Sequence, residues 1–294
     1  MERAGRGRPA RTRGSALPNY EELRCRPTAM NRPIRLKPSL REKVWGRTHL
    51  EPWFPDASEP IGEAWYLADR ELPLLVKLLF TSERLSVQVH PDDGEDGPRG
   101  KTEMWHILAA EPGAAIALGF REPLTRARLR EATLSGEIEH LVNWLPVTAG
   151  ETYFTPAHTV HAIGAGIVLC EIQQNSDVTY RLWDYGRPRP LHIEQAVPIS
   201  DLTVHPGAVQ PSAIGKGHDA LVWSKHFITE MVRLESGEEF TPSAEKCQLW
   251  ICIAGAGAIG GDAVHAGEVW LLPESGDQPA VGGAASFLRT YVPE

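Results

Sequence analysis

Gln88, His90, Glu103 and His161 form a mixed nitrogen and oxygen donor set, the kind that holds a catalytic divalent metal with room for a substrate. The first two lie in Leu85-Ser86-Val87-Gln88-Val89-His90-Pro91, where polar and apolar residues alternate. In a strand, residues two apart share a face, so Ser86, Gln88 and His90 line one side and Leu85, Val87 and Val89 the other. Gln88 and His90 then stand about 6.8 Å apart along the strand, near enough for both tips to reach one ion. Lys101 and Glu103 share a face by the same rule, and so do Thr159 and His161. Each residue also has a plainer reading. Gln88 and His90 would suit a polar wall bonded to itself, Glu103 a solvent-facing strand carboxylate, and His161 a satisfied structural imidazole. Their joint occurrence favours ligation.

The elements that must position these side chains read mostly as strands. Candidates run from Ile34 towards Trp45-Gly46, then over residues 64–67, 74–80, 151–154, 166–173 and 178–184. One stretch differs. Thr125 is placed to cap a helix in which Leu124, Ala127, Leu129 and Ala132 fall near helical spacing, with Ser135-Gly136 as its stop. A second short helix is expected from Glu137 to Trp144. From about Gln210 a second block of strands begins, including Phe227 to Leu234 and Gln248 to Ile253, with Gly255-Ala256-Gly257 as a connecting turn. Many short strands with Gly and Pro punctuation imply an all-β sandwich or jelly roll. A weak repeat links the two blocks. Gly150 and Gly267 are each followed by five residues and a proline, Pro156 and Pro273, and then by a turn that in the second copy is Glu274-Ser275-Gly276 with no histidine after it.

Length and composition bound the rest. The 294 residues suffice for two compact units, and 42% hydrophobic with 23% charged residues is ordinary for a globular chain. No apolar run approaches the roughly 18 residues of a membrane helix, and no secretory h-region follows the first arginines. Cys25, Cys170, Cys247 and Cys252 lack CxxC spacing, which favours reduced thiols and a cytoplasmic chain. Residues 1–37 carry ten Lys/Arg against three Glu, a balance of +7, leaving −15 for the rest of a chain of net charge −8. The arm over residues 1–30 reads as disordered, and the acidic body argues against nucleic acid as a partner. Met30 is a candidate natural start, which the intact mass of native protein would decide.

The motifs together resemble a known family. Gly150-x5-Pro156-x4-His161 resembles the second cupin motif, with His158 where a turn glycine is usual and Ala165 where Asn is common. Leu85 to Asp92, Lys101-Thr102-Glu103, Thr159 to Ile163 and Gln173 to Leu182 resemble type I mannose-6-phosphate isomerases, in the short bacterial form. The likeness runs from about Ile34 to Val197, with a looser continuation beyond. It implies two cupin (jelly-roll) β-barrel domains. A metal-binding catalytic domain would span residues 31–208, with a small helical insertion near 122–145, and a degenerate domain without metal residues 209–294. It implies one zinc ion in the first domain, held by Gln88, His90, Glu103 and His161. It places catalytic roles on Lys101, Arg181 and Asp177, and substrate phosphate on Ser86.

The implied reaction moves a proton between C1 and C2 of a sugar phosphate through an enediol(ate), interconverting mannose 6-phosphate and fructose 6-phosphate. Arg181 suits charge stabilisation at the enediolate or phosphate, or a structural pair with Asp177. Lys101 suits a general base or a phosphate anchor, and Asp177 suits proton shuttling or orientation of His90. Trp45, beside Gly46, is the tryptophan placed near substrate; Trp65, Trp144, Trp250 and Trp270 read as core, and His106 and His140 as structural or surface residues. Residues 255–261 lack the Lys-Ser/Thr of a phosphate loop. The expected partner is a small sugar phosphate, with no membrane, and the chain a monomer or homodimer. Two other classes remain: a metal-dependent cupin oxygenase, which oxygen uptake would expose, and a sugar-phosphate-binding cupin without turnover.

Overall fold

The computed structural model describes residues 32–243, 245–274 and 278–293; the basic arm and the turn after Glu274 fall largely outside them. Three antiparallel sheets are formed among the described residues. A six-stranded sheet has the order Lys37–Arg47, Ile61–Leu67, Leu74–Phe80, Ile167–Gln174, Glu103–Ala110, Thr152–Thr155. A five-stranded sheet has the order Tyr180–Trp183, Val87–Val89, His161–Ile163, Ala115–Phe120, Val142–Pro146. A nine-stranded sheet gathers the eight strands from Ser212 onwards together with Ile34–Arg35. The all-β cupin expectation is met.

Period-two alternation explains the layering. On Leu74–Phe80 the residues Val76, Leu78 and Phe80 pack with Leu249, Ile251, Met231 and Leu288 of the nine-stranded sheet, while Leu79 packs with Ile116, Leu118 and Ile163 of the five-stranded sheet. The six-stranded sheet is therefore a middle layer covered on both faces, and all seven residues of that strand are buried. The outer face of the five-stranded sheet, through Val87, Val89, Ala117 and Ala162, is covered by Leu129 and Ala132 of the helix Arg126–Ser135 and Ala196 and Val197 of the helix Ile193–Ile199.

The first helix starts and stops where expected. Thr125 Oγ1 accepts from the Arg128 amide at 3.1 Å, and Gly136 takes φ +83° at the end. The two glycines of the repeat also behave alike: Gly150 and Gly267 both have positive φ and lead into the short strands Thr152–Thr155 and Val269–Leu272.

Four expectations are corrected. The second helix is only Ile138–Leu141; Val142 onward is strand, paired through Phe120 and Trp144 to the Ala115–Phe120 strand. Gly255-Ala256-Gly257 is not a turn but part of the strand Gln248–Ile259, where a Cβ on Gly255 or Gly257 would press into the carbonyl oxygens of Ala284 or Gly282. The hairpin turn is Gly260-Gly261, both at positive φ. Ile34–Arg35, placed at the start of the first unit, pairs instead with Trp270 and Leu271 of the nine-stranded sheet. Cys170 and Cys252 are buried thiols, but Cys247 is disulfide-bonded, so the cysteines are not all reduced.

Candidate metal centre and active site

Two facing sheets bring the expected ligands together. His90 follows the strand Val87–Val89, His161 opens His161–Ile163, and Glu103 opens Glu103–Ala110 on the opposing sheet. All three are at most 1% exposed. His90 Nδ1 lies 2.9 Å from the Val178 carbonyl oxygen, and His161 Nδ1 2.8 Å from that of Thr159. A carbonyl only accepts, so each Nδ1 must carry the proton and each Nε2 presents a lone pair. Those lone pairs face one carboxylate: His161 Nε2 is 3.4 Å from Glu103 Oε1, and His90 Nε2 is 3.7 Å from Oε2.

Burial, then the Lys101 charge, pushes His90 well below the usual histidine range and His161 down to about 3, which keeps both imidazoles neutral. Burial pushes Glu103 up to about 7 against the pull of Lys101. Oε1 of Glu103 is buried without a hydrogen-bond partner. Oε2 stands 2.7 Å from Lys101 Nζ in a buried ion pair, and the same ammonium donates to His90 Nε2 at 3.0 Å. Burial lowers the affinity of Lys101 for its proton, but Glu103 and Glu171 outweigh it and the net shift is upward. A buried carboxylate with one oxygen unpartnered, met by two oriented imidazole nitrogens, fits a divalent metal ion.

The remaining expected residues divide. Gln88 pairs in register with His161 on one side and Arg181 on the other. Its Oε1 accepts from Ser86 Oγ at 3.0 Å and its Nε2 lies 3.3 Å from His161 Nε2. Half a turn of the amide would exchange these atoms and direct oxygen at the cluster. Ser86 is buried beneath it. Arg181 has Nη1 on the Pro190 carbonyl at 3.3 Å and a buried Nε with no partner. Asp177 is exposed and precedes the strand; the oxygen facing His90 belongs to the Val178 backbone and not to the Asp177 carboxylate. Trp45 is 4% exposed and packs with Leu79, Leu85 and Trp105. His158 sits in the turn at φ +74°, with Nε2 2.7 Å from Glu95 Oε2, so it leaves the ligand set unambiguous.

Sequence reading missed a second charged group on the same inner face. Lys77 Nζ bonds Glu171 Oε1 at 2.8 Å and also Gln173 Oε1, and it lies 4.5 Å above the Trp65 ring. Trp105 Nε1 donates to Glu171 Oε2 at 3.1 Å. Burial alone would raise the Glu171 carboxyl, but Lys77 and Lys101 hold it down to about 2. Gln173 stands opposite Glu103 in the ladder, so this pair borders the cluster. The available signal was Glu171 and Gln173, two apart at the polar end of the Ile167–Gln174 strand.

No protein-family model matches the chain. Over 216 residues it is 35% identical to a mannose-6-phosphate isomerase of Streptococcus mutans, covering 58% of this chain and 68% of that protein. A probable mannose-6-phosphate isomerase of Bacillus subtilis is 30% identical over 89% of this chain and 100% of its own length. Among solved structures, a mannose 6-phosphate isomerase from Bacillus subtilis superposes with a TM-score of 0.79 at 26% identity, covering 88% of this chain and 99% of that one. A phosphomannose isomerase variant from Salmonella typhimurium gives 0.72 at 17% identity, over 88% and 98%, a likeness of fold alone. Fold and site together define a cupin-type enzyme with a buried metal-binding cluster. The chain belongs to the mannose-6-phosphate isomerase family.

Proposed function

We propose that the chain interconverts mannose 6-phosphate and fructose 6-phosphate, with zinc held by His90, Glu103 and His161 and Gln88 as a fourth ligand through its amide oxygen. The observation that carries this reading is the convergence of two oriented Nε2 lone pairs on a buried carboxylate whose Oε1 has no hydrogen-bond partner and whose Oε2 meets the Lys101 ammonium. Zinc suits a set of two imidazoles, one carboxylate and one neutral oxygen. When bound, the ion supplies Lewis-acid polarisation of the substrate oxygens at C1 and C2.

The chain does the rest. Val178 and Thr159 fix the two imidazoles through their carbonyls, and Ser86 steadies the Gln88 amide. Lys101 brings a positive charge to the cluster, where negative charge builds as the C2 proton leaves. Arg181, one strand beyond Gln88, keeps an Nε–H free for an anionic or hydroxyl group of the substrate. Lys77 and Glu171 hold the opposite wall in one arrangement, so that Trp105 backs His161 at 5.3 Å between ring centres. A coupled assay of purified protein, metal-free and zinc-loaded, tests the proposal. Zinc-dependent appearance of fructose 6-phosphate from mannose 6-phosphate is the expected result. Absence of turnover with zinc bound would reject the reaction and leave the fold standing.

A further inference from the structure

A second group of metal-type ligands lies away from the cluster just described, at the junction between the first two sheets and the C-terminal one. Asp92 and Asp93 sit in the loop between His90 and Lys101, and His226 in the turn joining His218–Trp223 to Ile228–Leu234. One ligand atom from each lies within 4.8 Å of the others. The His226 side chain is 4% exposed, and its Nε2 is buried with no hydrogen-bond partner. That nitrogen lies 3.7 Å from Asp92 Oδ1, and Nδ1 lies 3.7 Å from Asp93 Oδ2. Both separations exceed the roughly 3.2 Å limit of a hydrogen bond. The separation on the Nε2 side is close to the ~3.4 Å between neighbouring ligand atoms when each stands about 2.1 Å from a tetrahedral ion; Asp93 lies beside the other ring nitrogen, within the 4.8 Å that encloses one ligand atom of each residue. The catalytic cluster has the same spacing, at 3.4 and 3.7 Å.

The carboxylates are positioned rather than merely nearby. Asp93 Oδ1 accepts from the Gly100 amide at 2.8 Å and from Gln174 Nε2 at 2.9 Å, which aims Oδ2 at the histidine. Asp92 Oδ1 accepts from the Asp93 amide at 2.8 Å. Ser224 Oγ accepts from the amides of His226 and Phe227 and so fixes the turn. The Asp92 and Asp93 side chains are 34% and 23% exposed, leaving a path for an ion and its waters. Lys225 Nζ, 3.3 Å from Asp92 Oδ2, competes for that carboxylate, but it is 70% exposed and free to swing into solvent.

We propose that Asp92, Asp93 and His226 form a second divalent-cation site, of the zinc, cobalt or manganese class, that ties the loop between His90 and Lys101 to the C-terminal sheet. One imidazole and two carboxylates, with water completing the shell, suit such ions better than calcium or magnesium, which take oxygen donors alone. Its role is structural: it fixes the segment carrying a ligand at one end and Lys101 at the other, and it is not required for the isomerase reading.

The test is calorimetric titration of the metal-free full-length chain with zinc alone. Wild type should take up two equivalents, His226→Ala one, and His161→Ala one. In His161→Ala, zinc should still raise the melting temperature. Asp92→Asn serves as the second variant should His226→Ala not fold, and it should also lose one equivalent. Loss of all zinc uptake in His161→Ala, or retention of the wild-type number of equivalents by the junction variants that fold, overturns the proposal. Neither result bears on turnover, so it stands or falls apart from the catalytic reading.

Discussion

At the residue scale, the cluster separates residues that hold the ion from residues that act beside it. His161 is wholly buried, and its Nδ1 is spent on Thr159, so it has one nitrogen to give. His161→Ala should therefore lose catalytic zinc and turnover together, read by metal content and the coupled assay. Arg181 touches none of the three clustered ligands, and its Nε has no partner. Arg181→Ala should keep that zinc and lose turnover by about 100-fold or more, the scale for one donor aimed at developing charge. Near wild-type turnover would remove the role given to it. Lys77 makes a different case. Removing it leaves Glu171 as an uncompensated buried charge, which costs about 3–5 kcal/mol. Lys77→Met should lower the denaturant midpoint sharply, and Lys77→Met/Glu171→Gln should recover much of the loss. If the double variant were no better than the single, the pair would not be the source of the effect.

At the scale of elements, what was legible depended on how each strand is covered. Ser86 to His90 alternates because Val87 and Val89 meet the helices and the residues between them the polar interior, so its facing ligands could be named from spacing. Leu74–Phe80 is covered on both faces and reads as an apolar run broken only by Lys77. The alternation that turns Lys77 inward was therefore invisible. Neighbouring strands drawn from distant parts of the chain, such as those that pair Gln173 with Glu103, leave no mark in local sequence. The helix Arg126–Ser135 was readable because its cap and stop are local chemistry. Thr125→Ala removes an acceptor for the Arg128 amide and should cost about 1 kcal/mol. Thermal melts against wild type would show it, and an unchanged melting temperature would mean that tertiary packing alone fixes the start. The helix Ile193–Ile199 went unseen because Pro198 lies inside it and it is only seven residues long.

At the scale of the molecule, several inward-facing groups keep protonation states that the unfolded chain would not share, and stability must follow pH. His106 is 3% exposed with Nδ1 on Thr152 Oγ1 at 2.9 Å; burial, and then Arg233, lowers it to about 4. Between about 6.5 and 4 the unfolded chain takes up a proton there that the folded chain refuses. Its contribution is complete above about 6.5 and lost as pH falls towards 4, by at most about 3 kcal/mol. Glu171, held down to about 2, contributes above the ordinary carboxylate range and loses that contribution only as pH falls from about 4.5 towards 2. Glu103, pushed up to about 7 with no metal bound, acts in the opposite sense: the metal-free fold loses stability as pH rises from about 4.5 to 7. The three slopes overlap in wild type, and a difference separates them. His106→Gln keeps a polar partner for Thr152 and removes one titration, while Glu103 and Glu171 are common to both proteins and cancel. Urea unfolding of metal-free wild type and His106→Gln at intervals from pH 8 to 4 should give a stability gap that moves steadily in the variant's favour below about 6.5. A gap independent of pH would mean that His106 is protonated inside the fold, and that burial between the sheets does not exclude its charge.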